Sequence, residues 1–155
     1  MVLDQTNDGR PWTKESWRQY LFQKFNTEET YPLLSDISLT DLGNDAAKGE
    51  ILLSGKNQNL HGFCHGGALS TLVDVISAFS CFSCGLDVTT ATMNLQFFRP
   101  AGGSRLFCTA TPEKVGKTLC HVRAVIRNES GAVVTVASVL LYVLNRIEIT
   151  ECLPE

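Results

Sequence analysis

The chain has 155 residues, 44% of them hydrophobic, which is enough for one buried core without disulfide staples. Its formal net charge of −3 argues against general nucleic-acid binding, and no apolar run reaches the roughly 20 residues of a membrane span. The polar start lacks the apolar core of a secretion signal, so a cytoplasmic or mitochondrial location is expected.

Residues 1–30 are predicted to form an N-terminal arm followed by an amphipathic helix. Residues 1–11 are polar and charged, and are expected to be disordered. In residues 13–25, aromatic and aliphatic side chains recur at helical spacing, and Thr13 can cap the helix. The polar face is not notably basic, so packing on the domain is favoured over a membrane surface.

A long apolar helix dominates the middle of the chain. Candidate strands at residues 35–42 and 48–54 precede it, on either side of a Gly-Asn-Asp turn. The helix is predicted from His65 to about Cys84, with Gly85 as its C-terminal cap.

Strands follow one another after the helix. They are predicted at residues 88–98, 105–111, 118–127 and 132–144, with a hairpin loop at residues 128–131. Period-2 alternation in the first of them places six side chains on one face: Val88, Thr90, Thr92, Asn94, Gln96 and Phe98. One long helix and five or six antiparallel strands predict an α+β layer in which the sheet curls around the helix.

Asp74 is the only formal charge between Lys56 and Asp87. One face of its helix is strongly apolar, whereas the opposite face is small or polar and comprises Gly67, Ser70, Thr71, Asp74, Ser77, Ala78 and Cys81. A carboxylate in such a helix is costly to bury unless it is hydrogen-bonded or used. A functional Asp74 is therefore favoured over a solvated or structurally capped one.

Glycines mark the start of the same helix. Gly62, Gly66 and Gly67 allow a ligand to approach the backbone closely, and the first amides of a helix lack internal partners. Such N–H groups, at the positive end of the helix dipole, can polarise a carbonyl oxygen. The alternative is a tight turn that simply requires glycine.

The cysteines offer a competing interpretation. His61, Cys64, Cys81 and Cys84 imitate the spacing of a zinc ribbon. Cys81 and Cys84 fall at the end of the apolar helix, however, and a chain of this size does not need metal to fold. Buried, reduced thiols without a metal are therefore expected.

The second half of the chain is locally basic. Glu113 is its one acid over residues 99–127, against six basic residues, Arg99, Arg105, Lys114, Lys117, Arg123 and Arg127. This would suit an anionic ligand such as a nucleotide phosphate, and a solvated strand face explains it as well.

These motifs occur in a specific order. Asn59 precedes His65-Gly66-Gly67, and Asp74 follows eight residues after Gly66 in the apolar helix. The set, with further matches at residues 92–95, 99–101 and 115–119, resembles the hotdog-fold acyl-CoA thioesterases. The nearest branch is that of the phenylacetate-pathway thioesterases and acyl-CoA thioesterase 13 (thioesterase superfamily member 2). The resemblance covers roughly residues 35–145.

The resemblance implies a hotdog thioesterase domain at residues 31–147, a tail at 148–155, and hydrolysis of an acyl-CoA in lipid metabolism. Asp74 would act as general base or nucleophile, and the Gly66 amide would hold the thioester oxygen. Asn59 would orient water or thioester, and Thr90 would supply a hydroxyl where close relatives have serine. His65 is a positioning residue or a packed core histidine. Apart from the coenzyme A of the substrate, no cofactor or metal is implied.

Nine further residues are expected to contact substrate or coenzyme A: Gly67, Thr92, Phe97, Arg99, Pro100, Lys114, Gly116, Lys117 and Thr118. Lys114 to Thr118 resemble the loop that meets pantetheine and nucleotide. Gly102-Gly103 and a slightly shorter stretch before Lys114 depart from the family pattern.

Helical geometry predicts a shared site. Gly66 and Asp74 are eight residues apart, which is about 12 Å along a helix. A donor and a base that serve one carbonyl must lie closer than that, so they should come from different subunits of a two-fold dimer. The resemblance implies the same dimer and a tetramer built from it. Two other functions stay open, a non-hydrolytic acyl-CoA or acyl-carrier binding module and a hotdog hydratase.

Overall fold

This computed structural model of the protein describes residues 11–27, 30–43 and 46–150. The predictions for residues 1–10 and 151–155, and for part of the Gly-Asn-Asp turn, fall outside the described residues. None of the described helices is long and apolar enough to cross a bilayer.

The described residues form three helices and eight strands. In chain order these are β1 Trp12–Thr13, α1 Lys14–Thr27, α2 Tyr31–Leu34, β2 Ile37–Leu42, β3 Ala47–Leu52, α3 Gly66–Phe82, β4 Leu86–Phe97, β5 Arg105–Val115, β6 Leu119–Asn128, β7 Val133–Arg146 and β8 Ile149–Thr150. Six strands form an antiparallel sheet in the order β2-β3-β5-β6-β7-β4, and β1 pairs with β8.

The sheet curls around α3, which contacts all six of its strands. The inner side of the helix is buried through Leu69, Leu72, Val73 and Ile76. Small side chains on the inner faces of the strands give the helix room, and a Cβ added at Gly49 would overlap Ile76. The predicted α+β hotdog architecture is therefore confirmed.

α1 begins at a reciprocal cap and packs on the end of α3. The Ser16 amide donates to Thr13 Oγ1 (3.1 Å), and the Thr13 amide donates to Ser16 Oγ (3.0 Å). The Trp17 indole donates to the carbonyl of Phe82 at 2.6 Å. The predicted helix, its Thr13 cap and its packing on the domain are confirmed.

The two ends of the described chain meet in a small parallel pair. Trp12 lies beside Ile149, and Thr150 Oγ1 donates to the Trp12 carbonyl at 3.1 Å. Ile149 and Thr150, which belong to the predicted tail, thus form strand β8. Their partner strand β1 lies more than 130 residues earlier in the sequence, so no local sequence pattern predicts the pairing.

Most element boundaries differ from prediction by one to four residues. α3 runs from Gly66 to Phe82 rather than from His65 to Cys84, and Gly85 has a φ of 75° after its end. The short helix α2 was not predicted, because Pro32 by itself indicates only the start of a new segment. Proline fits there since the first turn of a helix needs no N–H from it.

The predicted alternation in β4 was wrong beyond Thr90. A register shift between Thr90 and Thr92 leaves Ala91 as a bulge, with Thr90 opposite buried Leu141 and Thr92 opposite Leu140 on the outer face. An extra residue in one strand exchanges the faces of all that follow. Thr90 and Phe97 therefore face α3, whereas Thr92, Asn94 and Gln96 face away from it.

Candidate active site

The start of α3 is fixed by His65. Its side-chain Nδ1 accepts the Gly67 amide at 2.9 Å, so His65 is the N-cap and the Gly67 N–H is occupied. The ring is exposed rather than packed in the core. His65 is therefore not packed in the core but caps the helix start, and its positioning role in catalysis stays a prediction.

The Gly66 amide is left without an acceptor among the described residues. Gly66 is the first residue of α3, so its N–H lies at the positive end of the helix dipole. The ring of Phe97 flanks this position, because a Cβ added to Gly66 would lie 3.8 Å from Phe97 Cζ. Gly66 therefore presents a free backbone N–H group next to the ring of Phe97.

Asn59 organises the loop before α3. Its Oδ1 accepts the amides of His61 (2.9 Å) and Phe63 (3.1 Å), which leaves its Nδ2 as the group free to meet a ligand. An open pocket of about 480 Å³ lies here, lined by Gln58, Asn59, Leu60, His61 and His65. Asn59, which is predicted to orient water or thioester, can therefore do so only by donating a hydrogen bond from Nδ2.

Asp74 is half-buried on α3, two turns beyond Gly66. Thr90 on β4 donates to its Oδ1 at 2.5 Å. The neighbouring Ser70 and Thr71 hydroxyls donate instead to helix carbonyls, those of Gly66 and Gly67. In the described part of the chain no basic side chain pairs with Asp74. Its carboxylate is therefore hydrogen-bonded by the Thr90 hydroxyl and is otherwise open to solvent.

The small face around Asp74 is narrower than predicted. Ser77 and Cys81, expected on that face, are fully buried toward the sheet. Both are small enough to fit the core, and the Ser77 carbonyl is satisfied by the Ser80 hydroxyl at 2.7 Å. Gly67, Ser70, Thr71, Asp74 and Ala78 remain at least partly accessible.

The basic loop is the turn between β5 and β6. The Gly116 amide donates to the Leu119 carbonyl at 2.9 Å, and a Cβ at Gly116 would lie only 2.7 Å from that oxygen, so the turn requires glycine. Lys114 and Lys117 are exposed and have no acidic partner among the described residues. The Thr118 carbonyl accepts the Val143 amide at 2.8 Å. These residues form a fixed turn that carries two free cations.

Sequence reasoning missed Arg146, which donates to the Gly116 carbonyl at 2.9 Å and anchors the basic loop to the end of β7. Its one sequence signal is its place as the first basic residue after the apolar run of residues 132–144. That signal does not indicate a partner 30 residues earlier in the chain.

The predicted substrate residues fall into two groups. Gly67, Phe97, Arg99 and Pro100 lie near the start of α3, where the Ala101 carbonyl accepts the Cys64 amide at 2.8 Å. Lys114, Gly116, Lys117 and Thr118 lie near the other end of β4, since Leu86 pairs with Arg146. A strand of 12 residues spans roughly 36 Å. Thr92, on the outer face, belongs to neither group.

The cysteines do not assemble as the zinc-ribbon spacing suggests. Nowhere in residues 11–27, 30–43 and 46–150 do three His, Cys, Asp or Glu side chains converge as metal ligands. Cys64 is buried beside the loop, and burial raises its pKa to about 11. Cys81 instead contacts Cys120 on β6.

This geometry offers the two groups that acyl transfer to water requires. A free amide at a helix start can stabilise charge on a carbonyl oxygen, and a hydroxyl-supported carboxylate can accept a proton. Within one chain they are eight residues apart on α3, or about 12 Å.

Comparison with known proteins agrees with this chemistry. A family model described as Thioesterase superfamily matches residues 61–135. A Deinococcus radiodurans protein named as a candidate esterase is 34% identical over 108 residues, which are 67% of this chain and 72% of that protein.

Solved structures share the fold at low identity. A Haemophilus influenzae thioesterase has a TM-score of 0.75 at 21% identity, covering 90% of this chain and 95% of its own. The PaaI protein of the E. coli phenylacetic acid degradation operon has a TM-score of 0.75 at 22% identity, with coverages of 86% and 97%. A hypothetical thioesterase of Streptococcus pneumoniae, solved with coenzyme A, has a TM-score of 0.68 at 23% identity, with coverages of 72% and 88%.

The family match spans the helix start, Asp74 and the further matches at residues 92–95, 99–101 and 115–119, whereas Asn59 lies two residues before it. The resemblance to hotdog thioesterases is thereby confirmed. This chain belongs to the thioesterase superfamily, as a thioester hydrolase with the hotdog fold.

Proposed function

We propose that this protein hydrolyses an acyl-CoA to a free acid and coenzyme A, with Asp74 and the Gly66 amide as its catalytic groups. The observation that carries the proposal is that one helix presents both a free backbone donor and a carboxylate with a single side-chain donor. The Gly66 N–H has no acceptor in the described chain, and the Asp74 carboxylate has Thr90 as its one side-chain donor.

The reaction follows from these two groups. The thioester oxygen accepts a hydrogen bond from the Gly66 amide, which stabilises the negative charge that develops as the carbon is attacked. Asp74 takes a proton from the attacking water, and the tetrahedral intermediate collapses to expel the coenzyme A thiolate. The proton held by Asp74 then passes to that thiolate. If Asp74 itself attacks, the coenzyme A thiolate leaves as an acyl anhydride forms on Asp74, and water then hydrolyses that anhydride.

We further propose that each site combines Gly66 of one protomer with Asp74 of its partner. The 12-residue strand β4 is an edge of the sheet, and edges of this length are normally covered. Phe97 and Phe98 at its end are 51% and 59% exposed. A two-fold copy paired along β4 covers this edge and brings the two copies of α3 side by side in opposite directions.

The same symmetry unites the two groups of predicted substrate residues. In an antiparallel pair, the start of β4 at Leu86, which is near the basic loop in one protomer, lies beside the end of β4 that precedes Arg99 in the other. Lys114 and Lys117 would then approach the phosphates of a coenzyme A whose thioester lies at Gly66 of the partner. The Streptococcus pneumoniae relative was solved with coenzyme A, which supports this class of ligand.

We extend the assembly to a homotetramer of two such dimers. Leu119, Tyr142 and Leu144 are exposed on the outer face of the sheet, where Leu119 lies directly opposite Tyr142. An apolar patch of this kind favours a further contact. We place the enzyme in acyl-CoA metabolism, in the cytoplasm or mitochondrion, where the free thiols at Cys64, Cys81 and Cys108 would persist.

A screen of saturated, unsaturated and aromatic acyl-CoAs, read by free thiol release, tests the function. We expect thiol release from at least one saturated acyl-CoA, with no conversion of the matching enoyl-CoA to a hydroxyacyl-CoA. A hydratase is disfavoured because the Nδ1 atom of His65 is engaged as the helix cap. Hydration without thiol release, or coenzyme A binding without turnover, would contradict the proposal.

A further inference from the structure

Two buried thiols meet between α3 and β6, outside the site described above. Cys81 and Cys120 are both fully buried and lie 39 residues apart in the chain, and the Cys81 Sγ donates to the Cys120 Sγ at 3.0 Å. A disulfide bond is about 2.05 Å long, so an approach of about 1 Å would join them. The two sulfurs are therefore already adjacent in the reduced protein.

We propose that Cys81 and Cys120 form a reversible disulfide that ties α3 to β6, and that the exposed Cys84 is the thiol through which oxidants enter.

The electrostatic surroundings give the two sulfurs different roles. The hydrogen bond from Cys81 lowers the pKa of Cys120, and the nearby Arg146 guanidinium lowers it as well. The pKa of Cys81 is raised, through the same hydrogen bond and by burial. Of the two thiols, Cys120 therefore loses its proton more easily than Cys81, which suits it to attack a disulfide that involves Cys81.

Cys84 supplies the access that the buried pair lacks. It is exposed, follows Cys81 by three residues at the end of α3, and is close enough to affect the pKa of Cys81. Its Sγ lies 3.6 Å from the carbonyl of Ser80, one residue before Cys81. An oxidant from solvent can thus react at Cys84 before the buried thiols.

With hydrogen peroxide as oxidant, the steps balance. The Cys84 thiolate attacks one peroxide oxygen, which gives a sulfenic acid and releases water after protonation. Cys81 attacks the Cys84 sulfur and expels a second water, and Cys120 then attacks the Cys81 sulfur and releases Cys84 as a thiol. Two thiols and one peroxide yield one disulfide and two waters, and a dithiol reverses the change.

The pair is also connected to the basic loop. Arg146 lies beside Cys120 and donates to the carbonyl of Gly116 at 2.9 Å. A disulfide at Cys120 cannot form the thiolate whose charge Arg146 favours, so the surroundings of the residue that anchors the loop differ between the two redox states. Amide exchange across residues 115–119 should therefore be faster in the oxidised protein.

Disulfide mapping on the full-length wild-type protein tests the proposal. The protein is treated with excess hydrogen peroxide, the remaining thiols are alkylated, and unreduced digests are analysed by mass spectrometry. Trypsin isolates Cys120 on residues 118–123, and chymotryptic cleavage after Phe79 and Phe82 separates Cys81 from Cys84. We expect the Cys81 and Cys120 peptides to be linked, with loss of two hydrogens, and to separate on reduction.

Cys108 and Cys84 provide the controls. Cys108 is as deeply buried, and burial raises its pKa to about 12, but it has no thiol partner among the described residues. It should stay reduced throughout. The Cys84→Ser variant should reach the same link at least tenfold more slowly, whereas Cys108→Ser should match wild type. Absence of the Cys81–Cys120 link, or oxidation of Cys108 to the same extent, would overturn the proposal. A wild-type rate in Cys84→Ser would overturn the entry role.

Discussion

Thr90 on β4 holds the carboxylate of Asp74 on α3 through a hydrogen bond of 2.5 Å, across 16 residues of sequence. Thr90→Val keeps the shape of the side chain but removes the hydroxyl, so the carboxylate loses its one side-chain donor. Hydrogen bonds to charged groups contribute about 1.5–3 kcal/mol, and Asp74 is only half-buried, so we expect kcat to fall about tenfold. Steady-state kinetics on an acyl-CoA measures this.

Thr90→Ser is the matched control, because it retains the hydroxyl and should keep most of the activity. If Thr90→Val and Thr90→Ser behave alike, the hydroxyl does not act on Asp74 during the reaction.

Asp74→Asn tests the proposed base or nucleophile directly. Asparagine is nearly isosteric but cannot accept the proton, so turnover should fall by about 10²–10⁴-fold. Asp87→Asn, at the half-buried start of β4, should leave turnover near wild type. Near wild-type hydrolysis by a folded Asp74→Asn would remove Asp74 from the mechanism.

Isotope labelling separates the two roles of Asp74. During repeated turnover in H₂¹⁸O, a nucleophilic Asp74 acquires label in its own carboxylate whenever water attacks the aspartyl carbon of the anhydride. A general base acquires none. Mass spectrometry of the peptide that contains Asp74 reads the result.

The Gly66 amide can be removed without removing the helix. Gly66 is the first residue of α3, where proline is well accepted, and His65 has the extended backbone (ψ 139°) that suits a residue before proline. Gly66→Pro should lower kcat by about 10²–10³-fold, as the loss of an oxyanion donor does. Gly66→Ala keeps the amide, and its Cβ would make only an ordinary contact with Phe97 at 3.8 Å.

Gly66→Ala should therefore stay active while Gly66→Pro does not, provided that both show the helical content and thermal midpoint of wild type. Equal losses in the two variants would assign the effect to the added carbon atoms and not to the N–H.

The basic loop should recognise the nucleotide of coenzyme A. Lys114→Ala and Lys117→Ala each remove an exposed point charge that has no acidic partner in the described chain. KM should rise severalfold for an acyl-CoA and little for the same acyl group on N-acetylcysteamine, which lacks the nucleotide. Lys48→Ala, which removes a lysine on β3 that is already paired with Asp41, is the control. Equal effects on both substrates would mean that the loop does not contact the nucleotide.

Local patterns were enough to predict α3, the succession of the long strands along the chain and the Thr13 cap, because periodicity and capping depend on residues close in sequence. The face of Thr92 was not predictable in this way. No sequence signal at Ala91 predicts a bulge, so the alternation that correctly placed Thr90 on the same face as Val88 misplaced Thr92, Asn94 and Gln96.

Long-range contacts limited the prediction elsewhere. The bond from Trp17 to the Phe82 carbonyl and the contact of Cys81 with Cys120 join residues 65 and 39 positions apart. For the site, the ordered motif placed Gly66, Asp74 and Thr90 correctly on their elements. The division of the substrate residues between the two ends of β4 emerged only from the register of the sheet.

The shared site makes the sharpest prediction, since Gly66 and Asp74 of one chain are about 12 Å apart along α3. Asp74→Ala and Gly66→Pro should each be inactive alone and should rescue each other when mixed. In a heterodimer of the two, one site carries both lesions and the other carries neither. Random exchange gives about half heterodimers, so the mixture should approach one quarter of wild-type activity.

The mixing experiment needs evidence of subunit exchange, obtained by purifying heterodimers through two different tags after mild denaturation and refolding. A chain that carries both substitutions, mixed with wild type, is the control for the recovery of hydrolytic activity. Heterodimers that pair one wild-type chain with one Asp74→Ala, Gly66→Pro chain should carry one lesion in each site and be inactive, although half of their chains are wild type. If these heterodimers keep half of the activity while the complementary mixture stays inactive, each site is built within a single chain. The Gly66 amide of one protomer and the Asp74 carboxylate of its partner then do not act on the same thioester.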